Sequence, residues 1–339
     1  MKQGEKRFGR VKKGRSEMSR FRTIFGFAAA ALLVGLVSLA SAGTRRDDRN
    51  DGAYLDLGSQ FPSVGYIEGS TRSYDFTASG VLIDSNWVLT AGHVVDEATS
   101  LNFTLGQVTY SGASWVPHPK WKGDLLAGYD IGLVNLSTAV AGVTPVGRYA
   151  GSAELGAEAT IVGYGMTGTG LTGATTFDGQ KRGGENVIDA LYGRGWKNQR
   201  LFLCDFDNPT DPSDNTYGSS LPLDLEFLIA PGDSGGGVFL DVGGDTWQLA
   251  GVNSFIGWSD EAGDSDYGDI SGHTRVSVFD SWIDKIIGGS NDGGGHGRGK
   301  PPWAGGPKPR SVPTPEPATL TLVALGGMGL ALLRRRRAA

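Results

Sequence analysis

The chain has 339 residues, of which 39% are hydrophobic and 20% are charged, the proportions of an ordinary globular protein. Its net charge of −5 argues against nucleic acid as a partner, because such a partner needs a positively charged surface. The 55 glycines favour turns over long helices and therefore indicate many short strands. A single cysteine excludes an intramolecular disulfide. This residue, Cys204, lies in an apolar run and is predicted to be a buried packing residue rather than a nucleophile.

The first 42 residues form a predicted signal peptide. An apolar run at 24–40 follows a basic segment and ends in Ala-Ser-Ala at 40–42, the small-x-small pattern that signal peptidase cuts. We therefore expect cleavage after Ala42. The basic lead-in is long, and a start at Met18 would give a leader of ordinary length. An uncleaved membrane anchor is the alternative that the sequence leaves open.

The folded body is predicted over residues 54–287, after a short linker at 43–53. Runs rich in Val, Ile, Thr and aromatic residues recur between glycine turns, a pattern typical of all-β sandwiches and barrels. The segment 166–221 is rich in Gly, Asn and Asp, so it is predicted to be mostly loop, with a strand near 200–204. A helix is predicted at the end of the body, where four apolar residues share one face: Val278, Trp282, Ile283 and Ile286.

The C-terminal end has three parts after the body. Residues 288–313 are rich in Gly and Pro and poor in apolar side chains, which predicts a flexible linker; His296 lies in it and is not expected to be catalytic. Pro-Glu-Pro at 315–317 then precedes an apolar stretch at 318–333 and four arginines. As a helix that stretch would measure about 24 Å, short for a bilayer core of roughly 30 Å. Terminal arginines can reach the interface, so a short transmembrane helix is predicted there.

This order of parts, over residues 314–339, resembles the PEP-CTERM sorting signal of Gram-negative bacteria. The resemblance implies export and processing near Pro-Glu-Pro by an exosortase-type enzyme, which releases or re-anchors the protein. A plain tail anchor is the open alternative. We expect the protein in the cell envelope, at the cell surface or outside the cell, with membrane contact only through its terminal segments.

Three short segments of the body carry candidate catalytic residues. His93 ends a Leu-Thr-Ala-Gly-His run after a predicted strand, Asp130 opens an apolar strand, and Ser234 lies in Gly-Asp-Ser-Gly-Gly. A serine becomes a good nucleophile when a base takes its proton, and that base needs a carboxylate to fix its tautomer. The glycine-rich turn can aim the amides of Gly232 and Ser234 at one point, where a tetrahedral oxyanion would form. Each segment alone has a structural explanation, but their combination predicts a nucleophilic site.

These segments resemble those of the trypsin/chymotrypsin-like S1 family of serine peptidases. The first is similar to that family's Leu-Thr-Ala-Ala-His, the second to its Asp-Ile-Ala-Leu-Leu-Lys-Leu, and residues 232–236 repeat its Gly-Asp-Ser-Gly-Gly in full. The resemblance implies an all-β, chymotrypsin-like double six-stranded β-barrel with a C-terminal helix. The two barrels are expected at about 54–145 and 146–287, with the site between them.

The same resemblance implies a role for each site residue. His93 is the expected general base, Asp130 orients it, Ser234 attacks the substrate, and Ser254 helps to hold Asp130. The expected substrate is a protein or peptide, and the expected reaction is peptide-bond hydrolysis through an acyl-enzyme without a cofactor. The alternative function is a catalytically silent binding module on the same fold, displayed at the cell surface or in an extracellular matrix.

The sequence also departs from the family. The family's disulfides are absent, and no Ile-Val-Gly-Gly activation site precedes the body. In many relatives the aspartate before the serine pairs with a newly freed N-terminus. The partner of Asp233 and the existence of a zymogen stage are therefore open.

The specificity pocket is only weakly defined by the sequence. Leu228, six positions before Ser234, stands where trypsin-like members carry an acid, which argues against an Arg/Lys preference. Ile256 falls where many relatives have glycine and would narrow the pocket beside Ser254, so an apolar or small side chain is expected. An insertion could shift this alignment, which leaves Glu226 as an alternative pocket acid.

The remaining polar candidates receive structural interpretations. His118 lies between prolines and is expected in a loop, whereas His273 is expected to be structural. An acidic loop is interpreted as solvated, with calcium as the alternative and no metal predicted; its members are Asp260, Asp264, Asp266 and Asp269.

Overall fold

A computed structural model describes residues 43–193, 199–258 and 263–289. The predicted signal peptide, the sorting signal and the predicted transmembrane helix at 318–333 lie outside the described residues. Within the described ranges, no helix is both long and apolar enough to cross a membrane.

The described chain opens with β1 (Gly43–Arg45) and α1 (Asp51–Ser59), where the sequence predicted a linker at 43–53. Asn50 caps α1, since its side chain accepts a 2.7 Å hydrogen bond from the amide of Gly52. Tyr54 is fully buried and its hydroxyl donates to the carbonyl of Glu226. The ordered body therefore includes Gly43, because long-range contacts hold a segment with little hydrophobic pattern of its own.

Six antiparallel strands of the N-terminal half close into a barrel. In chain order they are β2 (Val64–Ser70), β3 (Asp75–Asp84), β4 (Trp87–Thr90), β5 (Ser100–Leu105), β6 (Val108–Pro117) and β7 (Gly132–Leu136), with α2 (Gly92–Val95) after β4. Around the barrel the order is β2-β3-β4-β7-β6-β5. Burial alternates along β5, where Leu101, Phe103 and Leu105 are buried, as expected for a strand with one face on a core.

The C-terminal half contains a seven-stranded sheet and a four-stranded sheet. Its strands are β8 (Glu158–Gly163), β9 (Thr167–Thr169), β10 (Gly173–Thr176), β11 (Arg182–Val187), β12 (Ala190–Tyr192), β13 (Leu201–Asp205), β14 (Phe227–Leu228), β15 (Gly237–Asp241), β16 (Trp247–Gly257) and β17 (Ile270–Arg275). The seven-stranded order is β11-β8-β15-β16-β17-β13-β12, and the four-stranded order is β10-β9-β1-β14.

The all-β fold class is confirmed, with a closed six-stranded barrel in the first half and a helix at the end. In the described part of the second half, where another six-stranded barrel was expected at about 146–287, the strands form the seven-stranded and the four-stranded sheet. The segment 166–221 contains the strand predicted near 200–204, which is β13, but the rest, predicted to be loop, also contributes the four strands β9 to β12. These strands are short or rich in polar residues and glycine, so their hydrophobic pattern does not mark them. Glycines let α1 and β11 approach closely: a β-carbon on Gly58 of α1 would lie 2.7 Å from the Arg182 backbone, and one on Gly183 of β11 would lie 3.0 Å from the amide nitrogen of Gly58.

The final helix, α3 (Asp280–Gly289), packs against the same hydrophobic cluster as the barrel strands. Ile283 is fully buried, and Trp282 and Ile286 are partly buried against that cluster, as the helical spacing predicts. Val278 was expected on this face but is 45% exposed. It belongs to a short 3₁₀ turn before α3, whose tighter winding turns the side chain away. Cys204 is fully buried in β13, so its predicted packing role is confirmed.

Buried carboxyl groups hold the loop that precedes β14. Asp205 Oδ2 accepts hydrogen bonds from the amides of Thr216 at 2.7 Å and Tyr217 at 2.6 Å. Asp207 is 6% exposed, and its Oδ1 accepts from Asn215 Nδ2 at 2.9 Å. Burial raises the pKa of Asp207 to about 7, because a charged carboxylate is poorly solvated there.

The raised pKa of Asp207 predicts a pH-dependent stability. The neutral carboxyl is favoured in the folded state, so its contribution is fully present below the unfolded pKa, near 4, and is lost as the pH rises through about 7. We expect the free energy of unfolding to fall by about 1–3 kcal/mol from this group between pH 5 and pH 8. Asp207→Asn should remove that fall, as measured by chemical denaturation at both pH values.

The exposed Asp75 provides the control, because Asp75→Asn should leave the pH dependence of the wild type unchanged. If Asp207→Asn loses as much stability between pH 5 and pH 8 as the wild type does, Asp207 is not the group responsible.

Candidate active site

Two neighbouring barrel strands bring His93 and Asp130 together. His93 lies in α2, directly after β4, and Asp130 lies just before β7, which pairs with β4 so that Thr90 faces Gly132. Asp130 Oδ1 accepts a 2.8 Å hydrogen bond from the backbone amide of His93, and its Oδ2 lies 2.8 Å from His93 Nδ1. An ionised carboxylate only accepts hydrogen bonds, so Nδ1 carries the proton and Nε2 is left as the acceptor.

Asp130 also joins the barrel to the seven-stranded sheet. Its side chain is fully buried, and a buried carboxylate is stable only when donors replace its water. Ser254 Oγ on β16 donates to Asp130 Oδ2 at 2.5 Å. Thr274 Oγ1 on β17 donates to the backbone carbonyl of Asp130 at 2.9 Å. Sequence analysis named Ser254 in this position, but it missed Thr274.

Ser234 lies in a turn whose backbone conformation depends on two glycines. Gly232 and Gly235 have φ values of +98° and +83°, which L side chains rarely adopt. A β-carbon on Gly235 would also overlap Thr90 Oγ1. Ser79 fixes the turn from the barrel: its amide donates to the carbonyl of Ser234 at 2.8 Å, and its hydroxyl donates to the carbonyl of Gly232 at 3.0 Å.

The amides of this turn are divided into two groups. Those of Asp233, Gly235 and Gly236 donate to backbone carbonyls. Within the described part of the chain, the amides of Gly232 and Ser234 have no protein acceptor. Two free amides that are separated by one residue, next to a serine hydroxyl, can together stabilise an oxyanion.

The turn contacts the two elements that hold His93 and Asp130. A β-carbon on Gly235 would lie 3.0 Å from the amide nitrogen of Ala91, two residues before His93. The amide of Gly235 donates to the carbonyl of Asn253, the residue before Ser254, at 2.8 Å. The structure thus brings the three sequence-predicted segments to one place.

Asp233, whose partner the sequence left open, is fully buried beneath the turn. Its Oδ1 accepts from the amide of Gly165 at 2.8 Å, and its Oδ2 accepts from the amide of Ala230 at 2.8 Å. The backbone amide of Gly43, the first residue of β1, also donates to it. Gly43 has φ +57°, and a β-carbon there would overlap the ring of Phe227. Burial raises the pKa of Asp233 to about 7, against the lowering effect of these hydrogen bonds.

Two of the three predicted pocket residues, Leu228 and Ile256, belong to a small apolar cluster, whereas Ser254 binds Asp130. Leu228 is fully buried together with Phe206 and Tyr267, and Ile256 packs against the three. Sequence analysis did not identify Phe206 and Tyr267 as pocket residues, since both lie far along the chain from the motifs of His93, Asp130 and Ser234. The alternative acid, Glu226, is buried, and its Oε2 accepts from the amide of Leu223 at 2.6 Å.

The two remaining described histidines have structural surroundings. His118 lies in the loop directly after β6, as expected, and it is a packing residue there: it is 8% exposed and stacks on Tyr129 with ring centroids 5.1 Å apart. Burial lowers the pKa of His118 to about 4. His273 is fully buried, with Nδ1 3.1 Å from Asn253 Oδ1 and Nε2 2.8 Å from Ser271 Oγ. Burial lowers its pKa to about 3, which keeps it neutral.

The acidic loop is only partly described. One carboxylate oxygen each from Asp264, Asp266 and Asp269 lies within 4.8 Å of the others, a spacing that suits a hard cation such as Ca²⁺. Asp269 Oδ2 already accepts from the amide of Ser265 at 3.1 Å. Asp260 lies outside the described residues.

The barrel, the sheet and the turn at Ser234 define the chymotrypsin-type class of fold. The trypsin family model matches residues 57–194, and the PEP-CTERM protein-sorting motif matches residues 313–337. Residues 57–194 are thus similar to the trypsin family, and residues 313–337 are similar to the PEP-CTERM sorting motif. Such a motif implies export towards the cell envelope and processing by an exosortase-type enzyme.

Curated proteins are similar to the chain in sequence, and a solved structure shares its fold. The chain is 28% identical over 247 residues to chymotrypsin-like elastase family member 1 of Felis catus, which covers 66% of this chain and 83% of the relative. It is 25% identical over 241 residues to proproteinase E of Bos taurus, covering 63% and 85%. The solved structure of HL collagenase matches with a TM-score of 0.51 at 20% identity, over 73% of this chain and 97% of that one.

The hydrogen bond from Ser254 to Asp130 predicts a positioning role for Ser254. Ser254→Ala leaves the buried carboxylate with one donor fewer, so His93 is held less firmly. We expect kcat for a peptide substrate to fall roughly three- to thirtyfold with little change in KM, as measured by steady-state kinetics. Ser137→Ala, at an exposed serine on the barrel, should leave kcat unchanged. An unchanged kcat in Ser254→Ala would contradict this role.

Proposed function

We propose that the protein is an exported serine endopeptidase with His93, Asp130 and Ser234 as its catalytic triad. The observation that carries the proposal is the hydrogen-bonded line from Ser254 through Asp130 to His93 Nδ1, next to the glycine turn of Ser234. A buried carboxylate that fixes a histidine tautomer is what a serine nucleophile requires. The matches to trypsin-type and elastase-type proteins support the same reaction class.

In the proposed acylation, each residue of the site has one step. Ser234 Oγ forms a bond to the substrate carbonyl carbon while His93 Nε2 takes the hydroxyl proton, and the carbonyl electron pair moves onto oxygen. The amides of Gly232 and Ser234 donate to that oxyanion. The protonated His93, stabilised by Asp130, then gives its proton to the leaving amine. The C–N bond breaks and an ester to Ser234 remains.

Deacylation repeats these steps with water as the nucleophile. His93 Nε2 takes a proton from water as its oxygen bonds to the ester carbonyl carbon. The proton then passes to Ser234 Oγ as the ester bond breaks, which releases the carboxylic acid and restores the site.

The pocket favours a small or apolar side chain before the scissile bond. Leu228 stands six positions before Ser234 and is buried in an apolar cluster against which Ile256 packs, so an Arg or Lys side chain bound there would lose its water without gaining a counter-charge. The similarity to relatives named as elastases supports this preference.

The predicted signal peptide and the sorting motif support export and maturation of the protein. The sorting motif supports transfer to the cell envelope, the cell surface or the extracellular space, with transient anchoring by residues 318–333 until processing. Signal peptidase cleavage after Ala42 makes Gly43 the first residue. Its freed amine then lies at Asp233, where an ammonium group would compensate the buried carboxylate. The signal cleavage itself would thus complete the site.

This maturation predicts that Gly43 is required for activity. In Gly43→Ala the new methyl group would overlap Phe227, so β1 and Asp233 should lose their contact and kcat/KM should fall at least tenfold. Gly106→Ala is a matched control, because Gly106 also has a positive φ of +58° but has nothing within 4 Å of a β-carbon. N-terminal sequencing should find Gly43 first in the mature wild type. A mature chain with another first residue, or full activity in Gly43→Ala, would contradict the proposal.

The catalytic proposal is tested with a fluorophosphonate serine-hydrolase probe. The full chain is produced in an export-competent host, as wild type and as Ser234→Ala, and labelling is measured by mass spectrometry. We expect labelling of Ser234 in the wild type alone, and its loss in His93→Ala, because the nucleophile needs its base. Absence of labelling in folded, correctly processed wild type would favour the silent binding module instead.

A further inference from the structure

The hydroxyl of Ser79 is a buried polar group that the proposed reaction does not use. Ser79 lies on β3 in the barrel and is fully buried. Its Oγ donates to the carbonyl of Gly232 at 3.0 Å and accepts from the amide of Tyr164 at 2.9 Å. A backbone amide can only donate, so the amide of Tyr164 occupies a lone pair of the hydroxyl oxygen and the hydroxyl proton is directed to Gly232. Ser79 is therefore joined to the turn of Ser234 by a side-chain hydrogen bond of defined direction.

The amides of Gly232 and Ser234 belong to peptide groups whose carbonyl ends are held. The amide of Gly232 shares its peptide group with the carbonyl of Pro231, which accepts from the amide of Met166 at 2.6 Å. The amide of Ser234 shares its peptide group with the carbonyl of Asp233, which accepts from another amide of the turn at 2.9 Å. In a trans peptide the N–H and the C=O point in opposite directions. Each held carbonyl therefore directs the amide on the other side of its peptide group.

The peptide group between these two donors, from Gly232 to Asp233, sets the angle between them. Its amide donates to the carbonyl of Ala230 at 3.0 Å, and its carbonyl accepts from Ser79 Oγ. Gly232 has a φ of +98° and no side chain, so its own structure opposes rotation of this peptide group very little. A carbonyl that loses its donor favours such a rotation, because an unsatisfied polar group is costly. The hydroxyl of Ser79 thus acts on the one peptide group that relates the two amides to each other.

We propose that Ser79 is a positioning residue for the oxyanion site. Its hydroxyl holds the peptide group that joins the two donors, so that the amides of Gly232 and Ser234 converge on one oxygen. This convergence stabilises the tetrahedral intermediate more than the bound substrate, because the negative charge on that oxygen develops only during the reaction. Loss of the hydroxyl therefore lowers kcat and leaves KM largely unchanged. The inference rests on the proposed endopeptidase function.

The first test compares the steady-state kinetics of wild type and Ser79→Ala, as full chains processed in an export-competent host, with a peptide substrate. Outright loss of an oxyanion donor costs about 10²–10³ in kcat, so for misaligned donors we expect kcat to fall roughly ten- to hundredfold, with KM changed by less than about twofold. Ser79→Cys keeps the shape of the side chain but has a thiol, which is a weak donor, so it should show a similar fall even if Ser79→Ala does not fold. Ser277→Ala is the control, because its hydroxyl donates to Glu154 Oε1 at 3.1 Å outside the turn, and its loss should leave kcat unchanged.

A second test measures the oxyanion itself, which a merely structural role would not affect. Wild type, Ser79→Ala and Ser277→Ala each bind a peptidyl trifluoromethyl ketone, labelled with ¹³C at the carbonyl that Ser234 attacks, and the hemiketal signal is followed by NMR as the pH is changed. We expect the hemiketal oxyanion to titrate at a higher pH in Ser79→Ala than in wild type and Ser277→Ala, because misaligned amides stabilise its charge less.

The two tests distinguish the positioning role from the catalytic proposal. An unchanged kcat in Ser79→Ala, or a hemiketal that titrates as in wild type, would overturn the role of Ser79 alone. Absence of both turnover and hemiketal in the folded, processed wild type would instead overturn the proposed function.

Discussion

The buried carboxylate of Asp130 is the constraint on which the rest of the structure depends. A charge without water must be surrounded by donors, and these come from both halves of the body: His93 from the barrel and Ser254 from the sheet. Thr274 binds the backbone of the same residue. The requirement to satisfy one carboxylate therefore holds the barrel against the sheet at the place where His93 is oriented. Stability and chemistry depend here on the same hydrogen bonds.

The turn of Ser234 depends on a second buried carboxylate. Asp233 holds the turn from below through Gly165 and Ala230, and Gly43 brings β1 into the same network. Ser79 holds the turn from the barrel side and connects it with the backbone of Tyr164. Since the amides of Asp233, Gly235 and Gly236 are engaged, the turn has little freedom to relax. A rigid turn keeps the amides of Gly232 and Ser234 in one arrangement, as the proposed oxyanion stabilisation requires.

The sequence predicted the features that are encoded locally. His93, Asp130 and Ser234 each stand at a strand end or in a glycine turn, and their motifs resemble a known family, so the fold class and the meeting of the three segments were predictable. The start of the body was not, because α1 buries little apart from Tyr54 and β1 has only three residues. Long-range contacts order both elements. The pocket partners Phe206 and Tyr267 were missed for the same reason: packing from distant segments leaves no local pattern.

The central claim is that the Asp130–His93 pair activates Ser234 as a covalent nucleophile. The most direct measurement is mass spectrometry of the exported protein, quenched in acid during turnover of an activated alanine ester. We expect the mass of the peptide that contains Ser234 to increase by one acyl group, and we expect no such increase in His93→Ala. Turnover without an acyl group on Ser234, or acylation at another residue, would contradict the account.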